Sequence, residues 1–237
     1  DHKQQCLSCS RNLTCELQAL GKTLGIKESR FNSFESHRIS EISVSITRDM
    51  DKCILCRRCI SVCNEIQGVG ILHAQNRGYD TVISPANEFD LAQTDCIYCG
   101  QCTMVCPVGA LMETDATETV RRALNDPKIH TVVQVAPAIR VAIGEEFGYP
   151  AGTPVTGKLF SALRELGFND IFDTNFAADL TVIEEGTEFL GRIENALLKG
   201  QSKLPMVTSC SPGWIKYCEH NFPDRKSTRL NSSHGII

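Results

Sequence analysis

"CILCRRCISVCN", residues 53–64, and its partner "CIYCGQCTMVCP", residues 96–107, decide how this chain is read. Each has the spacing C-x2-C-x2-C-x3-C, through Cys53, Cys56, Cys59 and Cys63 and then Cys96, Cys99, Cys102 and Cys106. That run holds [4Fe–4S] clusters in bacterial ferredoxins. Three cysteines at three-residue steps wrap a loop around successive corners of one cubane. The fourth starts a helix that leads away and so ligates the other cluster. The expected ligand sets are therefore exchanged: Cys53, Cys56, Cys59 and Cys106 for the first cluster, and Cys96, Cys99, Cys102 and Cys63 for the second. Ile54, Leu55, Ile60, Val62, Ile97, Met104, Val105 and Val108 form the expected apolar shell, which limits water and tunes potential. A structural zinc ion takes four ligands, usually from two separated C-x2-C pairs, and two quartets fit that poorly.

Upstream lies "HKQQCLSCSRNLTC", with His2, Cys6, Cys9 and Cys15 spaced H-x3-C-x2-C-x5-C. By counting alone this set suits zinc and iron–sulfur equally. Beside two ferredoxin clusters it reads as a third [4Fe–4S] site with one histidine ligand. Neutral imidazole in place of a thiolate removes a negative charge, which raises potential as in Rieske centres. Three such sites form a wire for single electrons. Eleven of the thirteen cysteines fall before residue 107. Metal-ligand spacing, rather than a disulfide framework, points to a reducing compartment, and the cytoplasm is expected. The formal net charge of -4 gives no sign of a nucleic-acid surface. No apolar run approaches the roughly eighteen residues of a membrane span, so a soluble chain is expected.

Between the two runs, "HAQNRGYDTVISP" has the mixed polar and β-branched look of a hairpin, and "CELQALGKTLGI" near the start is a short helical pattern. From Lys128 the character changes. "HTVVQVAPAIRVAIG" is a β-branched run interrupted by Ala-Pro, and "GKLFSALRELGF" reads as a helix stopped by Gly167. "DIFDTN" reads as a strand, "ADLTVIEEGTEFLGRIENALLKG" as a helix, "LPMVTSC" as a strand and "PGWIKYCEHNF" as a helix. Alternating strands and helices imply a parallel sheet, with ligands at the carboxyl ends of its strands, where Cys210 falls.

The order of these segments, ending in "APAIRVAIGEEFG", "FDTNFAADLTVIEEGTEF" and "TSCSPGW", resembles the iron-only ([FeFe]) hydrogenases over residues 1 to about 223. The likeness is nearest to catalytic subunits of the NAD(P)-linked kind. The resemblance implies an α+β chain. Its parts are an N-terminal cluster domain with one His and three Cys ligands (1–47), a two-cluster ferredoxin-like domain (48–127) and the start of an α/β catalytic domain (128–223). It implies the reaction 2H+ + 2e− ⇌ H2 at an H-cluster, a [4Fe–4S] cubane joined to a two-iron unit, in the full-length parent. The fragment alone stops before the remaining cubane cysteines of the family and is expected to be inactive. Residues 224–237, polar and aperiodic, read as a non-native adapter-derived tail. By the same resemblance Cys210 passes protons to the H-cluster, Glu185 and Glu188 belong to the proton relay, and Ser211, Pro212 and Trp214 lie beside the cofactor. The family pattern is Thr-Ser-Cys-Cys-Pro, and Ser211 stands where its second cysteine ligates the cubane. Periodicity alone puts both glutamates on a solvated face, off an apolar stripe of Leu180, Ile183, Leu190, Ile193 and Leu197.

The expected partner is an electron donor or acceptor, either a ferredoxin or an NAD(P)-binding flavoprotein subunit. Hydrogen and protons are the substrates, and the chain itself carries no Gly-rich nucleotide turn. Two other classes fit parts of the pattern. One is an electron-transfer subunit of an NADH or formate dehydrogenase complex, which would share the N-terminal sites but not "TSCSPGW". The other is a hydrogen-sensing relative, which loss of the thiol at 210 would favour.

Overall fold

The computed structural model describes residues 6–28, 40–200 and 204–224. His2 and the tail from 225 onward lie outside them. The chain divides into two compact units, one of residues up to 114 together with the segment from Ser209, the other from Asp115 to Thr208.

The first unit begins with helix α1 (Glu16–Thr23), strands β1 (Ser40–Ile42) and β2 (Ile46–Asp49) and a one-turn helix α2 (Arg58–Ser61). A π-turn over Val62–Ile66 prolongs α2 and carries Cys63. Strands β3 (His73–Gln75) and β4 (Val82–Ser84) form the hairpin expected from sequence, with His73 opposite Ser84. A second one-turn helix α3 (Gln101–Met104) and strand β5 (Leu111–Glu113) follow. Strands β1, β2 and β5 make an antiparallel sheet in which Arg48 pairs with Glu41 on one side and Leu111 on the other. Burial along β2 alternates as a half-buried strand requires, with Ile46 and Arg48 inward.

The core of this unit is built around the cysteines. Ile46, Met50, Cys59, Leu72, Ile83, Val108 and Leu111 are buried, and Cys15, Cys53, Cys63, Cys96, Cys102 and Cys106 pack against them. The two cysteine runs repeat one backbone course. Leu55 and Tyr98 are left-handed at φ 56° and 54°, and so are Arg57 and Gly100 at φ 62° and 74°. That conformation costs a non-glycine residue about 1 kcal/mol, and it folds the chain tightly enough for successive thiols to face inward. Of the expected apolar shell, Val62, Ile97 and Val108 are buried and Leu55, Ile60 and Val105 partly so. Met104, the last residue of α3, is exposed, a correction to the expectation, whereas Ile54, though also partly exposed, still lines the space beside Cys53 and Cys56.

The second unit contains helix α4 (Thr117–Asn125), strand β6 (Val132–Val135), helices α5 (Ile139–Glu146) and α6 (Thr156–Leu166), strand β7 (Asp170–Asp173) and the long helix α7 (Thr174–Lys199). Strands β6 and β7 are parallel, with Val132 opposite Asp170. Gly167 ends α6 in the left-handed region, as a helix stop should. Three expectations are corrected. The run after Ala136-Pro137 is helical rather than extended, since proline ends the strand and Ile139, Ala142 and Ile143 already have helical spacing. "LPMVTSC" forms one bridge at Val207 and no ladder, because Pro205 has no N–H to give to a sheet. The stripe expected to be buried on α7 is largely open, with Leu180, Ile183, Leu190 and Leu197 exposed.

The segment from Ser209 returns to the first unit as helix α8 (Pro212–Asn221). Its first turn follows the proline-first rule, and the Ser211 hydroxyl caps it by accepting from Trp214 N at 3.3 Å. No helix among the described residues is long and apolar enough to cross a membrane.

Two four-cysteine cavities and the segment seated beside them

Each cysteine run contributes to two cavities. One is lined by Cys53, Cys56, Cys59 and Cys106 together with Met50, Ile83 and Val108. The other is lined by Cys63, Cys96, Cys99 and Cys102 together with Ile46, Arg48 and Leu72. Cys63 reaches the second cavity because the π-turn after α2 carries it past the end of its own loop. Among the described residues no three His, Cys, Asp or Glu side chains converge on one point as ligands of a single ion. The thiols enclose space instead.

Electrostatics in the cavities follow from burial. The Cys59 thiol is pushed up to about 12, first by desolvation and then by neighbouring Cys53, Cys106, Cys102 and Cys56. Cys102 is likewise pushed up to about 12 by burial and by Cys96, Cys99 and Cys63. Burial also raises Cys96, though Lys216 on α8 works against the rise. Four such sulfurs repel one another as thiolates, and a multivalent cationic centre between them reverses the sign of that interaction. A donor set of four soft sulfurs around an apolar-walled cavity fits an iron–sulfur cube.

Of the N-terminal cysteines, Cys9 lies against Gly109, between Val108 and Ala110 of the first cavity's lining. A Cβ on buried Gly109 would stand 2.7 Å from Cys9 Sγ, so only glycine admits that sulfur. Glu16 N donates to the Pro107 carbonyl at 3.0 Å, and the Glu16 carboxylate takes a two-pronged bond from Arg58 at 2.9 and 3.0 Å. Arg58 in turn senses the sulfurs of Cys56 and Cys106. Cys6 is exposed, and Cys9 and Cys15 are half-buried.

Helix α8 lies on the loop of the second cavity. Gly213 brings its backbone so close that a Cβ there would be 3.4 Å from the Ile97 carbonyl and 3.8 Å from Cys99 Cα. Lys216 Nζ stands 5.3 Å from the centre of the Tyr98 ring, and His220 Nδ1 is 3.3 Å from Asp95. These three positions share one helix face, at i, i+3 and i+7. Cys210, exposed, immediately precedes the α8 cap, and Pro212 and Trp214 form its exposed first turn. Cys218 is half-buried. In the second unit Glu185 accepts a hydrogen bond from the Thr208 hydroxyl, and Glu188 is paired with Arg192 one turn on. Both glutamates are half-buried, more covered than most of the apolar stripe. The sequence pattern contained no signal for the Cys9–Gly109, Gly213–Cys99 or Arg48–Glu41 contacts.

Residues 129–232 match the family described as "Iron only hydrogenase large subunit, C-terminal domain". Residues 43–112 match "NADH-quinone oxidoreductase subunit 3, ferredoxin-like domain", and residues 1–30 match "NADH-ubiquinone oxidoreductase-G iron-sulfur binding region". The chain is 52% identical over 94% of its length to the NADP-reducing hydrogenase subunit HndD of Solidesulfovibrio fructosivorans. The chain belongs to the iron-only hydrogenase family. It is also 39% identical over 94% of its length to iron hydrogenase 1 of Clostridium pasteurianum. It spans 39% and 38% of the lengths of these two hydrogenases. A solved [FeFe]-hydrogenase structure is 42% identical, with a TM-score of 0.44 over 49% of this chain and 30% of that one.

Proposed function

We propose that the full-length protein of which this chain is part is an [FeFe] hydrogenase catalysing 2H+ + 2e− ⇌ H2, working in the cytoplasm. Electrons are exchanged with a ferredoxin or an NAD(P)-binding flavoprotein subunit. The observation that carries this reading is the pair of four-cysteine cavities with a family-specific helix seated on one of them. In this reading His2, Cys6, Cys9 and Cys15 hold the outermost of three [4Fe–4S] clusters. Cys53, Cys56, Cys59 and Cys106 hold the middle one, and Cys96, Cys99, Cys102 and Cys63 the inner one. Three contacts support this order: Cys9 abuts Gly109 beside the first cavity, Cys59 and Cys102 of the two cavities are near enough to influence each other, and Gly213 touches the loop of the second. The H-cluster of the full-length protein supplies the redox chemistry of hydrogen.

The chain's own residues position and supply protons. Gly213 lets α8 approach the inner site, so that the electron path ends at the segment bearing Cys210. The Ser211 hydroxyl is occupied in capping α8, which supports a positioning role for it rather than ligation. Cys210 presents an exposed thiol for proton passage. Glu185 is tied to Thr208, two residues before Cys210 in the chain, which supports it as the relay acid. Glu188 is paired with Arg192, whose side chain is largely buried beside it.

The experiment is H2 evolution by the full-length protein, matured with its cofactor, from a reduced low-potential donor. Evolution inhibited by CO is expected, and none at all would refute the enzyme. The chain by itself, reconstituted anaerobically, should bind about twelve iron atoms. One zinc and little iron would refute the wire.

A further inference from the structure

Arg48 is fully buried, yet its Nη1 makes no hydrogen bond among the described residues. Its other nitrogens are committed. Nε donates to Glu41 Oε2, and Nη2 pairs with the same carboxylate and donates to the Phe89 carbonyl at 3.2 Å. Glu41 is fixed in turn, because its Oε1 accepts from Leu91 N at 2.8 Å. The guanidinium is thus clamped, with the N–H groups of one nitrogen, Nη1, left over. Native interiors rarely leave such a donor unmet, since its desolvation is not repaid. Arg48 is also one of the residues lining the cavity of Cys63, Cys96, Cys99 and Cys102. The cavity of Cys53, Cys56, Cys59 and Cys106 has no counterpart, for its only arginine is the exposed Arg57.

We propose that Arg48 Nη1 donates a hydrogen bond to a sulfur of the cluster in the second cavity and tunes that site alone. The inference rests on the cluster reading above. One-electron reduction adds a negative charge to the site and makes or breaks no bond. An N–H donor at the sulfur favours that charge and raises the reduction potential. Glu41 neutralises the guanidinium, so the effect comes from one oriented N–H and not from a free cation. It falls on the site beneath α8, where electrons collect before they leave the wire. Iron occupancy of the second cavity also gives Nη1 its missing acceptor, which couples loading of that site to the order of β1 and β2.

The test uses the reconstituted chain carrying guanidino-15N arginine, reduced and read by pulsed EPR. A weak guanidino nitrogen coupling on one cluster is expected. It should vanish in the double variant Glu41→Gln/Arg48→Met, which removes both charges together, or in Arg48→Lys if the double variant does not fold. In either variant the reduced-to-oxidised ratio of that one cluster at fixed potential should fall roughly tenfold, which is about 59 mV for one electron. The other two midpoints should stay in place. No nitrogen coupling in the unsubstituted chain overturns the proposal, and a bridging water in place of the sulfur gives that result. A coupling that survives loss of Arg48, or a midpoint unmoved at full iron content, also overturns it. A chain that takes up no iron brings down the cluster reading as well.

Discussion

Substituting Gly109 by alanine tests whether the N-terminal cysteines form a metal site of their own. The added methyl would lie 2.7 Å from Cys9 Sγ and 3.5 Å from Lys52 Cδ. A carbon and a sulfur in ordinary contact stand about 1 Å farther apart than that. Lys52 is flexible and can yield, but Gly109 is buried in a wall of Pro107, Val108 and Ala110 that cannot. Cys9 must therefore move by about 1 Å, against a tolerance for metal–ligand bonds of about 0.2 Å. Overpacking of this kind costs about 1–3 kcal/mol, tolerable for the fold but not for a four-ligand site. The expected result after anaerobic reconstitution is loss of about a third of the iron, with both ferredoxin-type EPR signals retained. A Gly109→Ala chain with full iron and an unchanged spectrum would refute the reasoning and remove Cys9 from the ligand set.

Three further outcomes are expected. Cys106→Ala should erase the same EPR signal as Cys53→Ala, and Cys63→Ala the same one as Cys96→Ala; if Cys106 and Cys96 share a signal, the exchanged pairing is wrong. Glu41→Gln strands the charge of Arg48 in the core and should lower unfolding free energy by about 3–5 kcal/mol, read from urea denaturation. A loss under about 1 kcal/mol would mean that the pair is solvated. Ser211→Ala removes the α8 cap and should cost about 1 kcal/mol, read as faster amide exchange in the first turn of α8, while Ser211→Asp should preserve protection. Equal exchange in the alanine variant would show that the hydroxyl does not cap.

Much of the site was legible because its rules are local. Cysteines at three-residue steps can face one centre only if the backbone turns at fixed points, and the left-handed Arg57 and Gly100 supply that turn in both runs. The hairpin of β3 and β4 and the stop at Gly167 are local for the same reason. Errors arose where the signal was ambiguous or lay far away. "APAIRVAIG" carries β-branched residues at helical spacing, and spacing prevailed after the proline. The apolar stripe of α7 was assigned to a core by periodicity, but periodicity states only that a face exists, not that something within the chain covers it.

What the sequence determined by itself was the chemistry: thiols at intervals that suit iron–sulfur cubes, and a terminal segment that names the family. What only the tertiary structure decided was which groups meet. Cys9 lies against Gly109, Gly213 against Cys99, and Arg48 is clamped by Glu41 beside the second cavity. The reason is one of range. Ligand spacing is set by the fixed rise of a few peptide units, so it is written in consecutive letters. Contacts between residues a hundred positions apart arise from the packing of whole elements, where a missing methyl group or an unmatched N–H acquires meaning only once the neighbouring surface is in place.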